Sequence, residues 1–171
     1  RKDGIKIEGD VVESYVVVHN AAELREYVRE HKNTHIVSVD CEWQGINHVD
    51  GQLRSIQLAT APGVAAYIRF MDDQLNYVFD VSYKEAGAIM GQWLDDPKVK
   101  YVGHHLPADL PWMHHVLGLK WYDKAFLDTE FAQQTVDEHT ELGLERLGML
   151  YTTLGRYDRD LTVWSKKNPD K

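Results

Sequence analysis

Asp40-Cys41-Glu42 directly follows Ile36-Val37-Ser38-Val39. A run rich in β-branched residues reads as a buried strand. Residues i and i+2 of a strand share a face, so Asp40 and Glu42 are expected side by side at the strand's end. Two carboxylates aimed at one point repel each other, and a hard divalent cation with oxygen ligands is the usual remedy. The tripeptide alone also fits an ordinary Asp-x-Glu in a loop after a strand. Asp109, in Gly103-His104-His105-Leu106-Pro107-Ala108-Asp109, is the second candidate. It falls in the first turn of a helix just after a strand. That placement projects a carboxylate over the carboxyl end of a sheet, where α/β proteins build sites. An Asp there also compensates a helix dipole, so this position stays open to either role.

The elements that must position these acids alternate along the chain. Val11 to His19 reads as a strand. Asn20-Ala21-Ala22-Glu23 resembles a capping box, opening a helix with Leu24, Tyr27 and Val28 on one face. The Ile36–Asp40 strand comes next, then strands over Leu53–Ala59 and Val64–Phe70. Pro62-Gly63 between the last two is a turn signal and predicts an antiparallel hairpin. Ser82-Tyr83-Lys84-Glu85 is a stronger capping box, for a helix turning Ile89, Met90, Trp93 and Leu94 inward and ending at Asp96-Pro97. Lys100–Gly103 reads as a short strand, followed by a helix started by Pro107 and ending at Gly118. A strand near Ala125–Leu127 leads into a helix from Asp128 or Thr129, with Asp128 expected as its N-cap. The last expected helix covers Gly143–Leu154, with Gly155 as its cap. Beyond it, Arg156–Lys171 is polar, with Leu161, Val163 and Trp164 to anchor it. The fold class is mixed α/β, one sheet with helices on its faces.

Composition narrows the partners. The chain has 171 residues, 43% hydrophobic and 27% charged, as expected of one globular domain with its own core. Its net charge of -8 argues against a free-standing nucleic-acid binder, though not against nucleic acid handled through metals. No apolar run approaches the ~18 residues of a membrane span, so no membrane partner is expected. The single cysteine, Cys41, excludes an internal disulfide framework and fits a reducing cytoplasm. Nine histidines, with pairs at His104-His105 and His114-His115, raise the question of zinc. Neighbouring helical residues do not share a face, and no Cys-x-x-Cys or His-Glu-x-x-His pattern is present. Trp43, Trp93, Trp112, Trp121 and Trp164 are candidates for base stacking, with Trp93 and Trp112 better placed for the core.

The chain resembles the 3'-5' proofreading exonuclease domain of family-A DNA polymerases, within the four-acid exonuclease superfamily that includes RNase D. Asp40-Cys41-Glu42 is similar to the first exonuclease motif, and Val102-Gly103-His104 through Asp109 to the second. Pro62-Gly63-Val64-Ala65-Ala66-Tyr67-Ile68 resembles the polymerase form of the third strand. Phe126-Leu127-Asp128-Thr129 and Leu142–Leu147 resemble the strand and helix that follow. The similarity runs from about Tyr15 to Trp164. Two departures stand out: His105 replaces a customary Asn, and Trp43 after Glu42 is closer to RNase D-like relatives. The third motif, Tyr-x-x-x-Asp or His-x-x-x-x-Asp, is not found.

The resemblance implies a ribonuclease H-like fold, a central mixed five-stranded sheet flanked by helices. It implies two-metal phosphodiester hydrolysis with two Mg2+ or Mn2+ ions held by Asp40, Glu42 and Asp109. By position, Ile46 is similar to an apolar residue that wedges against the terminal base, or it is a packed loop residue. His105 takes the place of a nucleotide-binding Asn, or is a surface histidine. Trp43 is a third candidate for substrate contact. The expected partners are the 3' end of single-stranded DNA and a polymerase domain of the same chain, in a bacterial or phage-infected cytoplasm. Residues 1–171 are expected to be one exonuclease domain, cut from a longer protein before the third motif. A piece ending there would bind metal weakly and cleave little. The alternatives are an RNase D-like RNA exonuclease and an inactive exonuclease fold that holds DNA or serves as structure.

Overall fold

The structure, a computed structural model, describes residues 14–152. The parts of the first strand before Ser14, the Gly155 cap and the Leu161, Val163 and Trp164 anchors lie outside the described residues. The chain divides into two units: Val11–Thr129, and Arg1–Asp10 together with Glu130–Lys171. The first unit holds the whole sheet.

That sheet has six strands in the order β1-β4-β3-β2-β5-β6: β1 Ser14–Val18, β2 Ile36–Gln44, β3 Gln52–Ala61, β4 Val64–Arg69, β5 Lys100–Gly103 and β6 Ala125–Asp128. It has one strand more than the expected five because β1 adds in parallel to β4, with Val16 opposite Ala66 and Val18 opposite Ile68. The β3–β4 hairpin turns at Pro62-Gly63, where Gly63 takes φ 77, and pairs Ala61 with Val64. β2 lies at the centre, antiparallel to β3 and parallel to β5.

β2 alternates strictly. Val37, Val39 and Cys41 are buried, while Ser38, Asp40 and Glu42 are exposed. The run is thus a half-buried strand, and it extends past Asp40 to Gln44 with a bulge between Glu42 and Trp43. Both carboxylates therefore stand within a paired strand, where the ladder holds the backbone against rotation. The buried side continues across β3 and β4 as Ile56, Leu58, Ala66 and Ile68.

Three helices contribute to this core. α1, Ala21–His31, starts at Asn20, whose side chain accepts from Glu23 N at 2.9 Å, and buries Leu24, Tyr27 and Val28. α2, Tyr83–Leu94, has the full capping box between Ser82 and Glu85 and buries Ile89, Met90, Trp93 and Leu94. Trp93 is 0% exposed and satisfies its indole N–H on Thr34 O at 2.8 Å. α3, Leu106–Trp112, begins directly over β2: a Cβ on Gly103 would sit 2.4 Å from Leu106 Cδ2 and 3.2 Å from Val39 O. A larger residue there would force Leu106 to move and crowd the Val39 carbonyl, so glycine suits the approach. The expected single helix to Gly118 instead changes type, since a π-helical turn over Met113–Leu117 follows Trp112. Pro111 inside α3 has no N–H to donate, so the helix is already short of one bond there.

In the second unit, α4 spans Thr129–Val136 and α5 spans Leu144–Tyr151. Tyr151 Oη donates to Gln133 Oε1 at 2.7 Å, joining the two helices. The expected extension of α5 to Leu154 lies outside the described residues.

Candidate active site

β2 presents Asp40 and Glu42 on one exposed face by strand alternation. Asp109 arrives from α3 and is 4% exposed. Its Oδ1 accepts the backbone N–H of Cys41 at 2.9 Å. β5 pairs with β2 only as far as Ser38–Val102. Beyond that point the helix carboxylate supplies the hydrogen bond that a longer β5 would have supplied. Asp109 is thereby fixed to the residue between Asp40 and Glu42.

The three carboxyls interact electrostatically. Burial, then the charges of Asp40 and Glu42, push the Asp109 carboxyl up to about 7, against the Cys41 hydrogen bond and a nearby His105, which favour its charged form. Asp40 is also raised, by burial first and by Glu42 second. Burial, followed by Asp109, Asp40 and Glu42, raises the Cys41 thiol, which leaves it a neutral core group rather than a nucleophile. The carboxyls thus raise one another, and all-oxygen donors of this kind suit a hard divalent ion. Among the described residues, however, no group of three or more His, Cys, Asp or Glu side chains converges enough to hold a metal ion. One oxygen of Asp109 is already committed to the strand amide, so the donor chemistry fits while the enclosure needs a further ligand.

Two supporting residues escaped sequence reasoning. Gln57 lies directly opposite Asp40 across the β2–β3 ladder. With its amide turned to accept from the Ser55 hydroxyl at 2.9 Å, it donates to Asp40 Oδ2 at 3.2 Å and to Asp40 O at 2.8 Å. The signal was a polar pair, Ser55 and Gln57, at strand spacing and flanking Ile56 in a strand that also carries Leu53 and Leu58. Asp128 precedes α4 as expected of a cap, but its two oxygens accept from the backbone of α3's start: His105 N at 3.0 Å and Leu106 N at 2.7 Å. His105 takes the left-handed conformation, φ 61, uncommon for a side-chain-bearing residue. The Asp128 carboxylate therefore pins a strained turn from which Asp109 is aimed. Thr129 reinforces it, donating from Oγ1 to Gly103 O at 3.1 Å and pairing with His104 Nδ1 at 3.0 Å. Nothing in the local sequence distinguishes a cap on the next helix from a cap across the sheet.

The remaining sequence candidates separate. Trp43 stacks on buried Trp112, ring centroids 5.3 Å apart and 23° between planes, so one face of its ring is already covered. Ile46, at 97% exposed, is not the packed loop residue of the alternative reading. It stands on the β2–β3 loop beyond the carboxylates. His105 sits at the turn before α3, close enough to Asp109 to influence its ionisation.

A family described as 3'-5' exonuclease, of the family-A DNA polymerase type, matches residues 15–167. The chain belongs to this 3'-5' exonuclease family. Among solved structures, the exonuclease resembles the EXO domain of Aedes aegypti Nibbler with TM-score 0.65 and 13% identity, covering 85% of this chain and 72% of that one. Escherichia coli RNase D, described as an exoribonuclease involved in structured RNA processing, gives TM-score 0.60 and 18% identity over 81% of this chain and 33% of its own. Brucella melitensis NrnC with bound Mg2+ gives TM-score 0.56 and 17% identity, over 79% of this chain and 59% of that one. At such identities the likeness is one of fold: the exonuclease has the ribonuclease H-like α/β architecture, and it spans about a third of RNase D's length.

Proposed function

We propose that this exonuclease domain removes nucleotides from the 3' end of single-stranded DNA, as the proofreading part of a longer polymerase chain in a bacterial or phage-infected cytoplasm. The observation that carries this reading is the bond from Cys41 N–H to Asp109 Oδ1, which ties the second acidic motif to the centre of the first. The family depends on divalent metal. Asp40, Glu42 and Asp109 would hold two such ions, Mg2+ or Mn2+, with a further acid from outside the described residues. When bound, the ions supply an activated water and charge stabilisation at the scissile phosphate.

The chain's own residues supply position. The β2 ladder fixes Asp40 and Glu42, Gln57 orients Asp40, and Asp128 sets the turn that aims Asp109. In this reading Ile46, exposed on the β2–β3 loop, packs against the terminal base, and His105, at the turn before α3, hydrogen-bonds the terminal nucleotide.

RNA as the substrate is the second reading. It is favoured by Trp43 following Glu42 and by the likeness to RNase D. Both readings are tested by giving the full-length protein 5'-labelled DNA and RNA oligonucleotides of one sequence with Mg2+. A DNA ladder abolished by chelator is the expected result, with RNA cut more slowly. Faster RNA digestion establishes the second reading. An active Asp40→Ala/Glu42→Ala double variant overturns both.

A further inference from the structure

From the carboxylates outward, aromatic rings follow one another without a break. Trp43, next to Glu42, stacks on Trp112, one turn along α3 from Asp109. His48, on the β2–β3 loop, meets the edge of Trp112 at 6.3 Å. It also lies flat on His115, centroids 4.2 Å apart and 9° between planes. His114 adjoins His115 at 4.9 Å and Tyr122 at 5.9 Å, and Tyr122 adjoins Trp121 at 4.8 Å. The series begins in the core and ends in solvent, with Trp112 at 2% exposure, Trp121 at 38% and Tyr122 at 66%.

A chance cluster would not need its backbone shaped to fit. Here the two histidines, His114 and His115, ride on the π-helical turn Met113–Leu117, a rare form frequent at functional sites. The loop bearing His48 is equally constrained: a Cβ on Gly51 would fall 2.7 Å from Trp112 Cη2 and 2.4 Å from Gln44 O.

Lysines stand beside the rings of this acidic chain, together with Asp123 after Tyr122 and with Asp95, which accepts the Lys120 amide at 2.8 Å. Net charge is -8, yet a lysine adjoins the rings, since Lys84 Nζ donates to His115 O at 2.6 Å, while burial, with His48, His114 and Lys84 nearby, lowers the His115 ring below its usual value and favours its neutral form. Lys120 immediately precedes Trp121. Exposed rings interleaved with cations are what a single strand requires: π-faces for its bases and positive charge for its phosphates.

We propose that the ridge formed by His48, His115, His114, Tyr122 and Trp121 is a track for single-stranded nucleic acid, on which nucleotides upstream of the 3' end stack while the terminal one occupies the carboxylate site. This deepens the exonuclease reading and rests on it. Stacking is blind to sequence, so the track grips length rather than base identity. Its contribution appears only with substrates long enough to reach Tyr122 and Trp121.

The test compares kcat/KM of the full-length protein on 3-mer and 15-mer oligonucleotides, with anisotropy binding of the same oligonucleotides in chelator. Trp121→Ala/Tyr122→Ala should weaken 15-mer binding by at least about tenfold and erase most of the 15-mer's advantage, acting on KM rather than kcat. Trp121→Phe/Tyr122→Phe, which keeps two π-faces, should restore most of the loss. Tyr15→Ala, which removes an exposed ring from the far edge of the sheet, should change neither. Both ridge rings are at the surface, so the variants should fold. An unchanged 15-mer preference in the double alanine variant overturns the track. Failure of the wild type to cleave any 3' end defeats the exonuclease reading instead, and the chelator binding data then decide the track alone: a length-dependent affinity lost in the variant upholds it, and no such affinity overturns it.

Discussion

The two faces of β2 run side by side and have opposite purposes. On one, Val37, Val39 and Cys41 join a core closed by Trp93, Met90 and Leu94 from α2. On the other, Ser38, Asp40 and Glu42 stay exposed, and α3 brings to the strand a carboxyl, Asp109, forced towards neutrality by its surroundings. The first face stabilises the domain. The second costs stability when no cation is bound, because like charges are gathered where one partner is desolvated. The contrast shows that a single strand can be both the best-packed and the most frustrated element, its alternation keeping the two apart by one Cα–Cβ direction.

The contrast is tested most severely by removing charge from the exposed face. Asp40→Ala/Glu42→Ala should reduce exonuclease turnover by roughly a thousandfold or more, since groups that act as a unit are strongly non-additive. In chelator its urea midpoint should equal or exceed that of the wild type. A large loss of stability would mean that the acids hold the fold together and that the two faces are not separable.

Trp93→Ala attacks the other face. It empties a fully buried site and orphans Thr34 O, at an expected cost of about 3–5 kcal/mol in chemical denaturation. The specific activity of the fraction still folded should stay near wild type, and its collapse would couple core to site.

Asp109 links the two faces, and its signature is pH. Its folded pKa, about 7, lies above the value of an ordinary carboxyl. Between about pH 4 and 7 the folded state therefore keeps a proton that the unfolded state has released, so this group's contribution to stability is fully present below about pH 4 and lost as pH rises through about 7. Asp109→Asn retains an oxygen for the Cys41 amide and removes the ionisation. Denaturation in chelator should show the variant gaining on wild type as pH rises from about 4 to 7, with little difference at about pH 4 and roughly 1–3 kcal/mol more stability at pH 8. Equal stability at both values would show that Asp109 is not held neutral.

The smallest expected effect concerns Asp128. Asp128→Ala leaves the His105 and Leu106 amides without that carboxylate and should destabilise by about 1–2 kcal/mol. Catalysis should fall further than folding does, with metal affinity measured calorimetrically falling too, because the turn that aims Asp109 slackens. Asp128→Asn, which keeps one acceptor, should recover part of each. Loss of stability alone would make Asp128 an ordinary helix cap.

The sequence by itself determined the elements whose causes are local. Period-two alternation placed Asp40 and Glu42 on one face, capping boxes at Asn20 and Ser82 began α1 and α2, and Pro62-Gly63 turned the β3–β4 hairpin. Each depends on residues within a few positions of one another, so propensity and hydrogen-bonding chemistry suffice. Motif resemblance also supplied the family, because spacing along the chain survives in sequence. Only the tertiary structure decided that β1 would add a sixth strand, that Asp128 would cap a helix across the sheet, and that Gln57 would face Asp40. It alone joined His48 to His115, from separate parts of the chain, in one ridge. These contacts unite residues tens of positions apart, and which of many polar side chains meet is fixed by strand register and by the close approach of α3 to β2 at Gly103, not by any pattern readable along the chain.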